Sequence, residues 1–177
     1  VCPIRPMHQD RAYYSISQDE IVIPEKAQFV DGESYYGTML HEMTHSSGHE
    51  SRLNRLKPAV FGSEEYAREE LVAELGSALL ASRYGIAKQV KEESAAYLKS
   101  WLGSLKESPE FLKTTLFDVK RATSMISQQI DAVQERIEAK PDIMDVDGDG
   151  NTLEVAHEDR ELVGAASEDY VPYRRGR

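Results

Sequence analysis

Apolar and polar positions alternate in one manner before residue 30 and in another after it. Between residues 11 and 23 the strand-favouring side chains fall in two short runs, Tyr13-Tyr14 and Ile21-Val22-Ile23. Ser17-Gln18-Asp19 separates them as a turn, and Pro24 stops the second. Aromatic and β-branched residues suit a pleated, half-buried surface, so this stretch predicts a hairpin. From residue 31 the period becomes helical. Asp31 caps a helix running to about Ser47, with Tyr36, Met39, Leu40 and Met43 on its apolar side and Gly48 as its stop. A loop through Asn54, Pro58 and Gly62 follows. Ser63 then caps a second helix, with Glu64 and Glu65 in the first turn, where carboxylates suit the helix dipole. That helix extends to about Tyr84, carries a core stripe of Leu71, Leu75 and Leu79, and ends at Gly85. A third helix is predicted from about Lys91 to Lys106, with Trp101 in the core, and Ser108-Pro109 opens a fourth to about Ala139.

Beyond Pro141 the pattern fades into an acidic, thinly apolar stretch that ends Arg174-Arg175-Gly176-Arg177. The expected organisation is one domain over residues 1–140 and a mobile tail or linker over 141–177. Within that tail Asp145-Val146-Asp147-Gly148-Asp149-Gly150-Asn151 resembles the start of a calcium loop. Its twelfth position is Ala156, where a bidentate glutamate is required, so a flexible acidic turn is the expected reading.

Composition narrows the chemistry. A chain of 177 residues with 40% apolar content supports one domain with a core. It begins with Val, so a piece of a longer protein is expected. A net charge of −10 repels phosphate backbones, so no direct nucleic-acid binding is expected of this stretch. No run approaches the roughly 18 apolar residues of a membrane span, so no membrane partner is expected. The single cysteine, Cys2, excludes an internal disulfide and a thiolate zinc site, and fits a cytoplasmic location. Five histidines and many carboxylates leave a metal site of nitrogen and oxygen donors.

His41-Glu42-Met43-Thr44-His45 is an HExxH sequence inside the first predicted helix. Residues four apart on a helix share a face, so His41 and His45 can both reach one zinc ion at ~2.0–2.1 Å. Glu42 lies about 100° around the helix, near an ion without being forced to bind it. That is where a general base for an activated water belongs. Two unconnected surface histidines are the bland alternative.

A catalytic zinc needs a third protein ligand. In the second helix Glu70 and Glu74 point the same way along a stripe of mostly small residues that lets another helix approach closely. Glu70 as ligand and Glu74 as acceptor for a histidine's free N–H would satisfy both acids. Glu74 and His49 remain alternatives for the third ligand. Glu69 falls in a sector with Glu65 and Arg83 and reads as a solvated charge. His49 does not complete a metzincin pattern, because the required position is Ser51; it is expected to line the cleft or to favour the helix end as a cation. Arg52 and Arg55 are expected in surface salt bridges, with a hold on a substrate carbonyl or peptide terminus as the alternative. Tyr66, one turn before Glu70, is either a packed tyrosine or a donor to an oxyanion in the cleft.

The blocks DRAYYSISQDEIVIP, SYYGTMLHEMTHSSGHESRLNR and FGSEEYAREELVAELGSALL together resemble the metallopeptidase domain of ArdC-type antirestriction proteins and of large polyvalent proteins from plasmids, phages and conjugative elements. AAYLKSWLGSLKES resembles the helix that follows in that family, so the likeness runs over about residues 10–130. The resemblance implies an α+β, mainly helical, zincin-like (gluzincin) fold with a small antiparallel sheet beside the HExxH helix. It implies His41 and His45 as ligands, Glu42 as the catalytic carboxylate, and a glutamate ligand from the EELVAEL block. Thermolysin-like enzymes place an acid four residues after that ligand; Glu70 and Glu74 keep the spacing, with Glu where those enzymes have Asp. Family members often carry an upstream domain that binds single-stranded DNA, which this stretch lacks. The activity expected is zinc-dependent hydrolysis of a protein or peptide substrate. The alternative is a catalytically silent, metal-stabilised domain that binds a host defence protein or supports a DNA-binding partner domain.

Overall fold

The computed structural model describes residues 2–57, 59–60, 63–86 and 109–139. Three strands, β1 (Ile4–Met7), β2 (Tyr13–Ser15) and β3 (Glu20–Pro24), form one sheet in the order β1-β3-β2. The predicted hairpin is present: β2 and β3 are antiparallel, with Tyr13 opposite Val22 and Tyr14 opposite Ile21. The strand missing from the sequence reading is β1, which lies parallel to β3 with Ile4 against Ile21, so the sheet is mixed and not purely antiparallel. Its four side chains are all exposed, so it carries no alternation to read. Backbone pairing holds it, and Pro6 is tolerated because β1 is an edge strand. The central strand explains its own composition: Ile21, Val22 and Ile23 are each 0% exposed, covered on both faces.

Three helices are described: α1 (Gly32–Ser46), α2 (Glu64–Arg83) and α3 (Pro109–Glu138). The predicted caps hold. The Asp31 carboxylate accepts from Ser34 N at 2.6 Å, and the Ser63 hydroxyl accepts from Tyr66 N at 3.2 Å. Gly85 ends α2 in the left-handed region, φ +66, as a stop glycine should. The expected third helix, Trp101 and the acidic stretch after Pro141, with its calcium-like run, lie outside the described residues.

Helix α2 packs on both α1 and α3. Because it serves two neighbours, it buries Leu71, Val72, Ala73, Gly76, Ser77, Leu80 and Ala81. The expected Leu71–Leu75–Leu79 stripe is therefore wrong at its end, where Leu79 is 57% exposed. On α1, Leu40 and Met43 enter the core as expected, but the buried aromatic is Tyr35; Tyr36 is exposed beneath the ammonium of Lys26. The close approach of α1 and α2 depends on Gly76. A Cβ there would stand 2.7 Å from Thr44 Cγ2, and Thr44 is fully buried with its hydroxyl donating to Leu40 O at 2.8 Å. This contact presents one face of α1 to one face of α2, and the candidate site lies along that seam. No described helix is long and apolar enough to cross a membrane.

Candidate metal centre

The site is assembled from two consecutive turns of α1 and the acidic turn of α2. His41 and His45 present their Nε2 atoms to one another at 3.1 Å. The Glu70 carboxylate faces both, with Oε2 at 3.7 Å from His41 Nε2 and Oε1 at 3.6 Å from His45 Nε2. Among the described residues these three form the group of donors able to share one ion. The spacing fits such an ion: donors ~2.1 Å from a tetrahedral centre stand about 3.4 Å apart. Side-chain exposures of 17%, 13% and 13% leave the site partly open, as a cleft requires.

The ring orientations follow from what stands behind them. His45 Nδ1 donates to Glu69 Oε1 at 3.0 Å, and His41 Nδ1 lies 3.6 Å from Glu74 Oε1. A carboxylate only accepts, so the Nδ1 of His45 carries a proton and its Nε2 is the nitrogen turned toward His41 and Glu70. Burial works to lower the pKa of His45, but the facing carboxylates of Glu69, Glu70 and Glu42 outweigh it and push it up to about 9. Burial likewise raises the Glu70 pKa, against the pull of His45 and of a hydrogen bond from Tyr66. The surroundings thus favour positive charge at the point where the three donors meet. Glu42 is 7% exposed on α1 and adds its own negative field at His45.

His41, His45, Glu70, Glu42 and Tyr66 therefore come together, and Glu74 stands behind His41. His49 does not join the convergent donors. Its Nδ1 lies 2.8 Å from Ser51 Oγ and 3.9 Å from Asp19 Oδ2, in a cluster where Arg52 donates to Asp19 and to Tyr14 OH. Two sequence expectations need correction. Glu69 is no solvated charge, and Arg55 is no surface ion pair. The Arg55 side chain is 4% exposed and forks onto Glu69 with contacts of 2.7 and 2.8 Å, while Glu69 also accepts from His45 Nδ1. Burial pushes the Glu69 pKa up, yet Arg55 and His45 hold it below the usual range. Helical direction alone placed Glu69 away from Glu70, and it ignored the loop of residues 47–57 that folds back over the C-terminal end of α1. The clue in the sequence is Arg55, ten residues beyond HExxH.

A histidine pair one turn apart on one helix and a glutamate from a second helix could hold a metal ion, and residues 3–115 match the family described as zincin-like metallopeptidase. The chain belongs to that family. It is 46% identical over 106 residues to the DNA primase TraC of Escherichia coli, a match covering 60% of this chain and 10% of TraC. It is 35% identical over 128 residues to the uncharacterized protein y4eC of Sinorhizobium fredii, covering 72% of this chain and 42% of that one. The crystal structure of the antirestriction protein ArdC from plasmid R388, with Mn(II) bound, superposes with a TM-score of 0.65 at 35% identity, covering 72% of this chain and 47% of ArdC. The metal-free ArdC structure gives a TM-score of 0.62. The chain thus spans less than half the length of each of these relatives.

Proposed function

We propose that this domain hydrolyses peptide bonds around a divalent ion, zinc by the character of the donors, held by His41, His45 and Glu70. The observation that carries the reading is the meeting of two Nε2 atoms and one carboxylate from two helices, with Glu42 buried beside them. When bound, the ion supplies Lewis acidity, polarising a substrate carbonyl and acidifying a water. Glu42 would accept a proton from a water held in the cleft as the water oxygen adds to the carbonyl carbon, and would return it to the amine as the C–N bond breaks. Tyr66, one turn before Glu70 on α2, gives its single phenolic proton to that carboxylate and can offer it to a developing oxyanion only by leaving Glu70. Glu74 orients His41 from behind. The substrate is a protein or peptide in extended form. The domain is read as part of an ArdC-like protein of a mobile element, acting in the cytoplasm.

Glu42→Gln tests this. The variant is expected to bind zinc as the parent does and to lose peptide hydrolysis by about 10²–10⁴-fold, the usual share of general acid–base catalysis. Undiminished hydrolysis by the Gln variant contradicts the assignment. A second reading has its own support, since the relatives' names are those of a primase and an antirestriction protein, not of peptidases. On that reading the ion stabilises a module that binds a host defence protein or supports a DNA-binding partner domain. Persistence of the full protein's biological effect in Glu42→Gln then decides in its favour.

A further inference from the structure

Three features of the structure converge on one side chain that the proposed chemistry leaves unused. Glu69 holds two partners at once: Oε1 accepts from His45 Nδ1 at 3.0 Å and from Arg55 Nη2 at 2.8 Å, while Oε2 accepts from Arg55 Nε at 2.7 Å. Arg55 is fixed in turn by the end of α1, donating to Thr44 O at 3.0 Å and to Ser47 Oγ at 3.2 Å. Its guanidinium crosses directly over Gly48. A Cβ at that position would lie 2.9 Å from Arg55 Nη2, 3.1 Å from Cζ and 2.8 Å from Leu56 Cγ. Gly48 is not among the residues of positive φ. Its lack of a side chain therefore serves space and not backbone conformation.

We propose that Glu69 and Arg55 form a positioning pair that locks the ring of His45 toward the ion, and that the glycine after HExxH exists here to admit the arginine. The proposal rests on the reading that His45 ligates a metal. The Glu69 carboxylate, 17% exposed, meets His45 Nδ1 at hydrogen-bond distance and is itself forked onto Arg55, 4% exposed. A free imidazole rotates about two bonds. One whose Nδ1–H is held by a carboxylate that is itself forked onto a buried guanidinium cannot, so its Nε2 is aimed before the ion arrives. Glu69 touches neither ion nor substrate; it acts through His45.

The test is zinc affinity, read by titration into metal-free protein, together with NMR detection of the His45 Nδ1 proton. Glu69→Ala is expected to weaken zinc about 10–100-fold, the usual effect of losing such a support. It should also abolish the slowly exchanging His45 Nδ1 proton. Glu69→Gln retains an acceptor of the same reach, is expected to recover the protected proton, and serves if the alanine variant does not fold. Gly48→Ala is expected to reproduce the affinity loss by displacing Arg55. A folded Glu69→Ala protein with parental zinc affinity and an unchanged His45 proton overturns the proposal. Glu70→Gln separates the two failures. If it binds zinc as tightly as the parent, the assigned ligand set is wrong, while the His45 proton in metal-free protein still decides what Glu69 does.

Discussion

At the residue scale the chemistry depends on which nitrogen of each imidazole is free. Each Nδ1 faces an acid of α2, Glu74 for His41 and Glu69 for His45, so each Nε2 faces inward. Motif spacing places two rings on one face but is silent about their rotation. The acid that matters most to His45 was therefore unreadable from α2 alone. The Asp19–Arg52 pair gives a separate prediction at this scale. Hydrogen bonding to Arg52 holds the Asp19 carboxyl at about 2, against the opposing effect of burial. A carboxyl depressed in the folded state stabilises the protein fully above its unfolded pKa of about 3.9 and loses that contribution as pH falls toward 2. Asp19→Asn should therefore lower the thermal midpoint at pH 7 and flatten its fall between pH 4 and pH 2. A variant whose melting tracks the parent at every pH contradicts this.

At the element scale the seam between α1 and α2 sets the distance from Glu70 to the histidines. Gly76→Ala measures that seam, because two effects of known size oppose one another. Replacing glycine in a helix favours the folded state by about 1 kcal/mol. Forcing a methyl to within 2.7 Å of the buried Thr44 side chain costs about 1–3 kcal/mol. Thr44 cannot turn aside without losing its bond to Leu40 O, so the steric term should win and the variant should be less stable in urea. Adding Thr44→Ser, which removes the offending methyl, should restore stability. An unchanged or raised urea midpoint in Gly76→Ala contradicts the close packing. The elements themselves were largely legible: Asp31 and Ser63 announce their helices, and Ile21-Val22-Ile23 announces a buried strand. β1 was not legible, since its four exposed side chains carry no alternation and its pairing to β3 is a matter of backbone bonds and the Arg5–Glu20 ion pair. Nor was the outward position of Leu79, since helical periodicity cannot tell how many neighbours a helix has.

At the scale of the whole molecule, α1 packs on the sheet and on α2, and the loop of residues 47–57 ties these elements together. Arg52 joins the β2–β3 turn to α1, and Arg55 joins α1 to α2. An ion bound where α1 and α2 meet bridges the two helices, so it should stabilise the fold as a whole. With zinc at about 100 times its dissociation constant the gain is ~2.7 kcal/mol, and stripping the ion with a chelator should remove it. The thermal midpoint should fall on chelation in the parent and stay fixed in His45→Ala. An equal fall in both places the stabilising ion elsewhere.

The claim on which the rest depends is that one ion sits among His41, His45 and Glu70. Anomalous diffraction at the zinc edge from crystals of the zinc-loaded protein tests it most directly. The expected result is a single strong peak ~2.0–2.2 Å from His41 Nε2, His45 Nε2 and a Glu70 oxygen. A peak coordinated by His49 or Glu74 in place of Glu70, or no peak at the seam of α1 and α2 in zinc-saturated protein, contradicts it.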